Sequence, residues 1–171
     1  MALALAGAAA AQDMSKFTDG PVITGFGKVT PIESDLAIPK KTVFRVILDV
    51  GTAAKPGEVN RGLDSAARFL NMHVAHGVPE KNIHIVVVVH GKAGDDLTND
   101  TFYAARNEGS ANATAPLVKQ LLAHGVKVYI CGQSATAFGI SKADLLPGVQ
   151  MSLSAMSTFA IYEQRGYVLL P

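Results

Sequence analysis

The sequence predicts a three-layer α/β fold, in which an open, mostly parallel β-sheet is covered by helices on both faces. Runs of β-branched and aliphatic residues alternate with segments of helical periodicity, which is typical of this class. The run Ile83–Val89 has almost no polar alternation, as expected for a strand covered on both sides. At 171 residues, 49% of them hydrophobic but only 6% aromatic, the chain can close one aliphatic core.

Two segments of different composition precede the predicted domain, which we expect over residues 42–171. Residues 1–11 are almost wholly Ala and Leu and end in small residues, which predicts a truncated signal peptide and a mature chain starting near Gln12. The alternative is a low-complexity Ala-rich tail. Residues 12–41 carry frequent Gly and Pro and predict an extended arm that either lies over the domain or reaches a neighbouring subunit.

The apolar start of the chain also predicts where the protein works. A signal peptide implies export, which in a bacterium means the periplasm. We expect no stable membrane insertion, because the apolar run is far shorter than the roughly 20 residues of a spanning helix.

The first part of the domain predicts a strand, a helix and a second strand. A β-branched run over residues 42–49 stops before a glycine. Apolar residues recur at helical spacing over residues 59–76, with Asn71 on the side expected to face water. The buried strand over residues 83–89 then ends at His90.

The pattern weakens after this strand. Glycines and polar residues over residues 92–109 predict a loop excursion, in which residues 97–106 could form a short helix. Asp95 and Asp96 are expected to lie in solvent within it.

The second part of the domain continues the alternation. Proline in a first turn and glycine at the end mark a helix over residues 115–124, and Ser154 can cap a helix that runs to about residue 164. Strands are predicted over residues 126–131, 149–153 and 167–170, with a tight turn and a short helix starting at Gly132. The order β-α-β-α-β-α-β-α-β predicts right-handed crossovers.

Ligands of open α/β sheets bind beyond the carboxyl ends of the strands. Side chains that could react or bind a ligand lie at several of these ends, namely Asp49, His90, Cys131 and either Ser152 or Ser154.

Cys131 is the single cysteine, so it forms no internal disulfide and is either a reactive thiol or an inert buried one. The backbone N–H groups of Gly132, Gln133 and Ser134 would lower its pKa if the thiol points at them, and could hold the anionic sulfur of a persulfide. A cysteine after an apolar run is as often a plain core residue. Both interpretations stay open.

His90 could pair with the thiol or donate to a bound anion, since an imidazole titrates near neutral pH. It could equally be a hydrogen-bonded histidine that closes a strand. Asp49 is a weaker candidate for the same binding site.

Several classes of function are disfavoured. The net charge of +1 arises from scattered charges, so we expect no nucleic-acid partner. The short glycine motifs lack the spacing of a dinucleotide or phosphate-binding loop, and no metal-ligand spacing is present. We therefore predict neither a metal nor a cofactor.

Several motifs in sequence order resemble the DsrE/DsrF-like family. The resemblance covers roughly residues 42–171, with residues 20–29 similar to the arm of exported members, and its motifs are Asn60-Arg61-Gly62-Leu63, Val88-Val89-His90-Gly91, Val128 to Ser134, Leu146-Pro147-Gly148-Val149, Ser154-Ala155-Met156 and Gly166-Tyr167. It implies a DsrE-like, Rossmann- or flavodoxin-like three-layer domain and assembly into homotrimers or hexamers. In sulfur-relay members a cysteine carries sulfur as a persulfide, and Cys131 matches its position.

The resemblance implies a sulfur carrier or a sulfurtransferase-like protein that uses Cys131. Because a second thiol is absent, any sulfur must leave to a thiol-bearing acceptor protein or to a small thiol. The alternative is a non-catalytic, homo-oligomeric module that binds a small ligand and keeps its cysteine buried and inert.

Overall fold

The computed structural model describes residues 13–170. Five strands and five α-helices alternate along the domain, joined in places by short 3₁₀ turns. In chain order they are β1 (Phe44–Val50), α1 (Arg61–Ala75), β2 (Ile83–Val89), α2 (Asp100–Arg106), α3 (Ala115–Ala123), β3 (Lys127–Cys131), α4 (Gly132–Ala137), β4 (Gln150–Ser152), α5 (Ala155–Gln164) and β5 (Val168–Leu170).

The sheet is open and its strands follow the order β4-β3-β2-β1-β5. Every neighbouring pair is parallel, which confirms the predicted parallel α/β sheet. The two edge strands, β4 and β5, are only three residues long. This order brings the carboxyl ends of the three central strands side by side.

The two faces of the sheet are covered unequally. Helices α1 and α3 pack together and against the central strands, where the larger hydrophobic core lies. Helix α5 covers the opposite face over a smaller cluster whose buried members are Ile47, Val86, Val88, Cys131, Ala155 and Tyr162. Cys131 therefore belongs to the thinner side of the domain.

The arm lies over the α1 and α3 side within its own chain. An antiparallel bridge joins Thr18 to Val29, and Ile23 is fully buried in the larger core. Asn71, expected to face water, is instead buried. Its carboxamide accepts from the N–H groups of Val22 and Ile23 and donates to three arm carbonyls, because an extended segment needs partners for its backbone groups.

The prediction that Asp95 and Asp96 lie in solvent is wrong. Both sit in the 3₁₀ segment Gly91–Leu97 and are 2% and 1% exposed. Asp95 forms ion pairs with Lys92 and Arg106, and Asp96 accepts hydrogen bonds from a backbone N–H and a side-chain carboxamide. A run of two acidic residues gave no sign of these partners, most of which lie outside the segment.

Within residues 13–170, no helix combines the length and the apolar character that crossing a bilayer requires. The predicted signal peptide over residues 1–11 lies outside the described residues.

Candidate functional site

Three of the candidate side chains gather at the carboxyl edge of the sheet. The ladders end at Val50↔Val89 and Val89↔Ile130, so Gly51, His90 and Cys131 follow at one level on adjacent strands. Side chains alternate along a strand, which directs Asp49, His90 and Cys131 toward the α5 side. The topology thus brings together the residues that the sequence separates.

Cys131 ends β3 and is the N-cap residue of α4, although its side chain makes no conventional capping hydrogen bond. Burial leaves the residue 5% exposed and would raise the pKa of its thiol. The Ser134 N–H and hydroxyl, with the N–H groups of Ala155 and Gln133, donate toward the sulfur and hold that pKa below its usual value. The surroundings therefore favour a thiolate despite burial.

Ser134 connects this sulfur to the neighbouring strand. Its hydroxyl oxygen accepts the backbone N–H of Gly91 at 3.0 Å. The accepted bond orients the hydroxyl so that its own proton can be directed at the sulfur of Cys131. Ser134 thereby both receives and gives a hydrogen bond in the site.

Gly132 shapes the turn by leaving space. A Cβ at this position would lie 2.5 Å from the Ser152 carbonyl oxygen, which forbids a side chain. Close approach of the turn to β4 brings the start of α5, and with it the Ala155 N–H, to the thiol. Gln133 is exposed, and its amide contacts the Leu153 carbonyl oxygen at 3.4 Å.

His90 is held by Asp49. Its Nε2 lies 2.7 Å from Asp49 Oδ1, and the two side chains are 36% and 40% exposed. The ring packs on Gly51, where an added Cβ would come within 2.8 Å of its Cε1. The imidazole is thus directed toward β1, and among residues 13–170 its hydrogen-bond partner is Asp49 rather than Cys131.

A pocket of about 380 Å³ opens next to Asp49, between the end of β1 and the start of α1. Its lining includes Asp49, the loop that follows β1, and the charged residues Lys55, Glu58 and Arg61, but not Cys131. The charges of this loop were missed at the sequence level, although Arg61 stands in one of the family-like motifs. The Ala155 N–H was also missed, because the order of strands could not be read from the sequence.

The arrangement can support nucleophilic sulfur chemistry at Cys131, since a thiolate is the reactive form of cysteine. In the described part of the chain, no group of three His, Cys, Asp or Glu side chains is placed to hold a metal ion.

Comparison with known proteins identifies relatives. The model of the DsrE/DsrF-like family matches residues 45–171. No curated protein matches the chain. Among solved structures, a protein of unknown function from Methanobacterium thermoautotrophicum, MTH1491, matches with a TM-score of 0.53 and 17% identity over 74% of this chain and 97% of its own. The ychN protein of E. coli matches with a TM-score of 0.48 and 18% identity over 75% and 100%.

Proposed function

Because this chain belongs to the DsrE/DsrF-like family, we propose that Cys131 carries sulfane sulfur as a persulfide and transfers it to another thiol. The observation that supports the proposal most strongly is the placement of Cys131 at the start of α4, beside groups that lower the pKa of its thiol. Burial works against ionisation of this thiol, yet the donors from Ser134, Ala155 and Gln133 keep its pKa lowered. Such donors stabilise an anionic sulfur, whether thiolate or persulfide.

The loading step needs no residue to act as a base if Cys131 is already a thiolate. Its sulfur attacks the outer sulfur of a donor such as thiosulfate. A new S–S bond forms, the donor's S–S bond breaks, and sulfite leaves with the bonding electron pair. Delivery reverses this pattern, because an acceptor thiolate attacks the outer sulfur and Cys131 leaves as thiolate.

The pair formed by Asp49 and His90 is proposed as a binding element beside the sulfur. The carboxylate fixes the imidazole, whose side chain stays partly exposed to solvent. A partly exposed imidazole can donate to an approaching anion, and most sulfur donors are anions at neutral pH.

We also propose that the protein assembles with itself through α5. Three large apolar side chains are exposed on the α5 side of the domain: Leu153 is 76%, Met156 78% and Ile161 47% exposed. A helix that is apolar on its outer side as well is typical of one that packs against a further surface. A trimer or hexamer would be seen by sedimentation, and Met156→Glu should lower the assembly state without unfolding the chain.

The site of action is proposed to be outside the cytoplasm, in a bacterial periplasm. The support is the Ala- and Leu-rich sequence of residues 1–11 alone. N-terminal sequencing of the protein from an osmotic-shock fraction should find a start near Gln12, whereas an uncut chain that stays in the cytosolic fraction contradicts the proposal.

The decisive experiment weighs the intact protein after incubation with thiosulfate or polysulfide. The reduced chain should gain the mass of one sulfur atom, the Cys131→Ser variant should gain none, and dithiothreitol should remove the gain. No gain with either donor contradicts the carrier function. A thiol that reacts with iodoacetamide only after denaturation would favour the alternative, a module that binds a small ligand and has an inert cysteine.

A further inference from the structure

A second pocket, of about 440 Å³, lies between the arm and the last turns of α1. It is on the α1 side of the sheet, whereas Cys131 lies on the α5 side. Most of its lining comes from residues 18–38 of the arm and the rest from residues 72–76 of α1. The family match begins at residue 45, so the wall that the arm provides lies outside the matched region. The volume falls within the range of small-molecule sites.

His73 supplies a buried polar group to this pocket. The residue is 6% exposed and belongs to the lining. Its Nδ1 lies 2.7 Å from the Phe69 carbonyl oxygen, which only accepts, so Nδ1 carries a proton and donates it. Burial lowers the pKa of His73, and the ring is therefore uncharged at neutral pH. Nε2 is left with a lone pair and acts as an acceptor.

This acceptor has no hydrogen-bond partner among residues 13–170. It is nevertheless not completely enclosed, because the fully buried side-chain atoms without a partner in this part of the chain are Arg68 Nε and Asp95 Oδ1. Nε2 of His73 therefore keeps contact with solvent. Since the residue is otherwise buried and lines the pocket, the pocket is the space from which a ligand can reach Nε2.

The neutral imidazole limits the polar group of a ligand. Nε2 only accepts, so the ligand must bring an O–H or N–H donor. Asp19 lines the same pocket and is exposed, so a carboxylate would face a negative charge as well as the lone pair. Taking an ammonium ion to the buried ring would cost its hydration, a cost that a hydroxyl group largely avoids. The pocket is therefore suited to a neutral hydroxyl.

The walls favour an aromatic body for the ligand. The larger apolar side chains of the lining are Pro21, Val29, Pro31, Ile32, Ile38 and Met72. Rings of proline offer flat apolar surfaces, and the thioether of Met72 makes favourable contacts with aromatic rings. The ring of His73 already packs between Phe44 and Phe69, at centroid distances of 4.4 and 4.1 Å. An aromatic ligand extends this apolar cluster toward the arm.

We propose that the pocket between the arm and α1 binds a small neutral phenol, whose hydroxyl donates to His73 Nε2 and whose ring lies between Met72 and the arm. The inference does not depend on the proposed sulfur-carrier function, because it uses no residue of the sulfur site. A ligand that contacts both the arm and α1 binds only when the arm is docked, so it stabilises the docked arm by mass action.

Four ligands that share an ethyl-substituted ring test the polar requirement on the full chain. At neutral pH 4-ethylphenol is a neutral donor, and its binding is followed through amide shifts in NMR spectra. We expect saturation with a dissociation constant below about 1 mM. 4-Ethylanisole has no donor and should bind about tenfold more weakly, the scale of one hydrogen bond. The anion 4-ethylbenzoate and the cation 4-ethylbenzylamine should also bind more weakly. No saturation by 4-ethylphenol, or tighter binding of any of the other three, overturns the proposal.

The role of the buried acceptor is tested with His73→Phe. This variant keeps an aromatic ring between Phe44 and Phe69 but removes Nε2. It should weaken the binding of 4-ethylphenol about tenfold and leave that of 4-ethylanisole unchanged. Equal affinity of the parent and the variant for 4-ethylphenol contradicts the hydrogen bond to His73, and the proposal fails with it.

The position of the ligand is tested with two matched changes in the arm. Ile32 lines the pocket and Leu36 does not, and they are 67% and 76% exposed, so neither Ile32→Glu nor Leu36→Glu should unfold the chain. Ile32→Glu should weaken the binding of 4-ethylphenol and Leu36→Glu should leave it unchanged. Thr18 and Val29 line the pocket and exchange two backbone hydrogen bonds of 2.9 Å, so saturating ligand should slow hydrogen exchange at both amides. Equal effects of the two variants, or unchanged exchange, would place the ligand elsewhere and overturn the inference.

Discussion

The backbone N–H of Gly91 donates to the hydroxyl oxygen of Ser134 at 3.0 Å, so the loop after β2 is bonded to the helix that begins at the thiol. This bond restricts how the Ser134 hydroxyl can rotate and favours donation to Cys131. The orientation of one proton thus depends on two neighbouring strands rather than on the cysteine turn alone.

Ser134→Ala should make Cys131 less reactive. The change removes the hydroxyl donor but keeps the backbone N–H donors of Ser134, Ala155 and Gln133, so the pKa of the thiol should rise. We expect iodoacetamide to react about five- to tenfold more slowly at neutral pH, the scale of one hydrogen bond to a charged group. Thr136→Ala, on the exposed side of the same helix, is the matched control. Equal rates in the two variants would contradict a role for the Ser134 hydroxyl.

Asp96→Ala and Asp96→Asn should differ strongly in stability. Alanine leaves the Ala54 N–H and the Asn60 carboxamide without their acceptor, which should cost about 2 kcal/mol in urea unfolding. Asparagine keeps an acceptor oxygen and carries no charge, so that variant should be at least as stable as the parent at neutral pH. Equal losses in both variants would show that the charge, and not the acceptor, holds the loop.

The pH dependence of this pair of variants has a defined sign. Burial raises the pKa of Asp96, although the Ala54 N–H and the Asn60 carboxamide act to lower it. The Asp96 carboxyl therefore binds its proton more tightly in the folded chain than in the unfolded chain. Its contribution to stability is full below the ordinary carboxyl pKa and is lost as pH rises through the folded value. Asp96→Asn should remove this loss, as urea unfolding over an acidic pH series would show.

His73 should make the protein less stable in mild acid. Burial lowers its pKa, the Phe69 carbonyl opposes this, and the neighbouring His76 adds to the lowering. The unfolded chain then binds the proton at a higher pH than the folded chain, so stability is present above the ordinary histidine pKa and is lost as pH falls toward the folded value. We therefore expect the free energy of unfolding to decrease as the pH is lowered from neutral.

The variant His73→Leu tests this assignment. It should flatten the decline of unfolding free energy between neutral pH and about pH 5. His73 is packed between the rings of Phe44 and Phe69, at centroid distances of 4.4 and 4.1 Å, so an apolar side chain can occupy the site. An unchanged pH profile would assign the acid sensitivity to another group.

Asn71→Ala should release the arm. It removes five hydrogen bonds between one carboxamide and the arm backbone, and we expect a loss of about 3 kcal/mol with faster exchange at the Val22 and Ile23 amides. Gln120→Ala removes the two exposed bonds to Thr24 and should have a much smaller effect. Similar exchange in both variants would mean that the arm is held by Ile23 alone.

Much of the fold could be predicted from the sequence because its elements differ in periodicity. Strand β2 lies over the predicted residues 83–89, and the caps at Asn60 and Ser154 reflect residue types that bond to free N–H groups. The family resemblance is confirmed by the match over residues 45–171. The strand, the helix caps and the family motifs each depend on residues that are close together in the sequence, so periodicity and short motifs can predict them.

The errors concern contacts between distant residues. Asn71 lies on the side of α1 that its own helix predicts to be polar, and only the docked arm makes it a buried residue. Asp96 is buried because acceptors are needed for Ala54 and Asn60, which lie far from it in sequence. The Ala155 N–H reaches Cys131 only because β4 pairs with β3. Neither pattern nor propensity carries that information.

The arm has a consequence for what counts as one folding unit. The family match begins at residue 45, yet Ile23 is fully buried in the core that α1 and α3 share. A fragment limited to the matching region would lack Ile23, so the apolar surface of α1 that it covers would be exposed. The Asn71 carboxamide would also lose its hydrogen-bond partners in the arm. Such a fragment should aggregate through its exposed apolar surface. Adding the arm as a separate peptide should cover that surface and restore the solubility of the fragment.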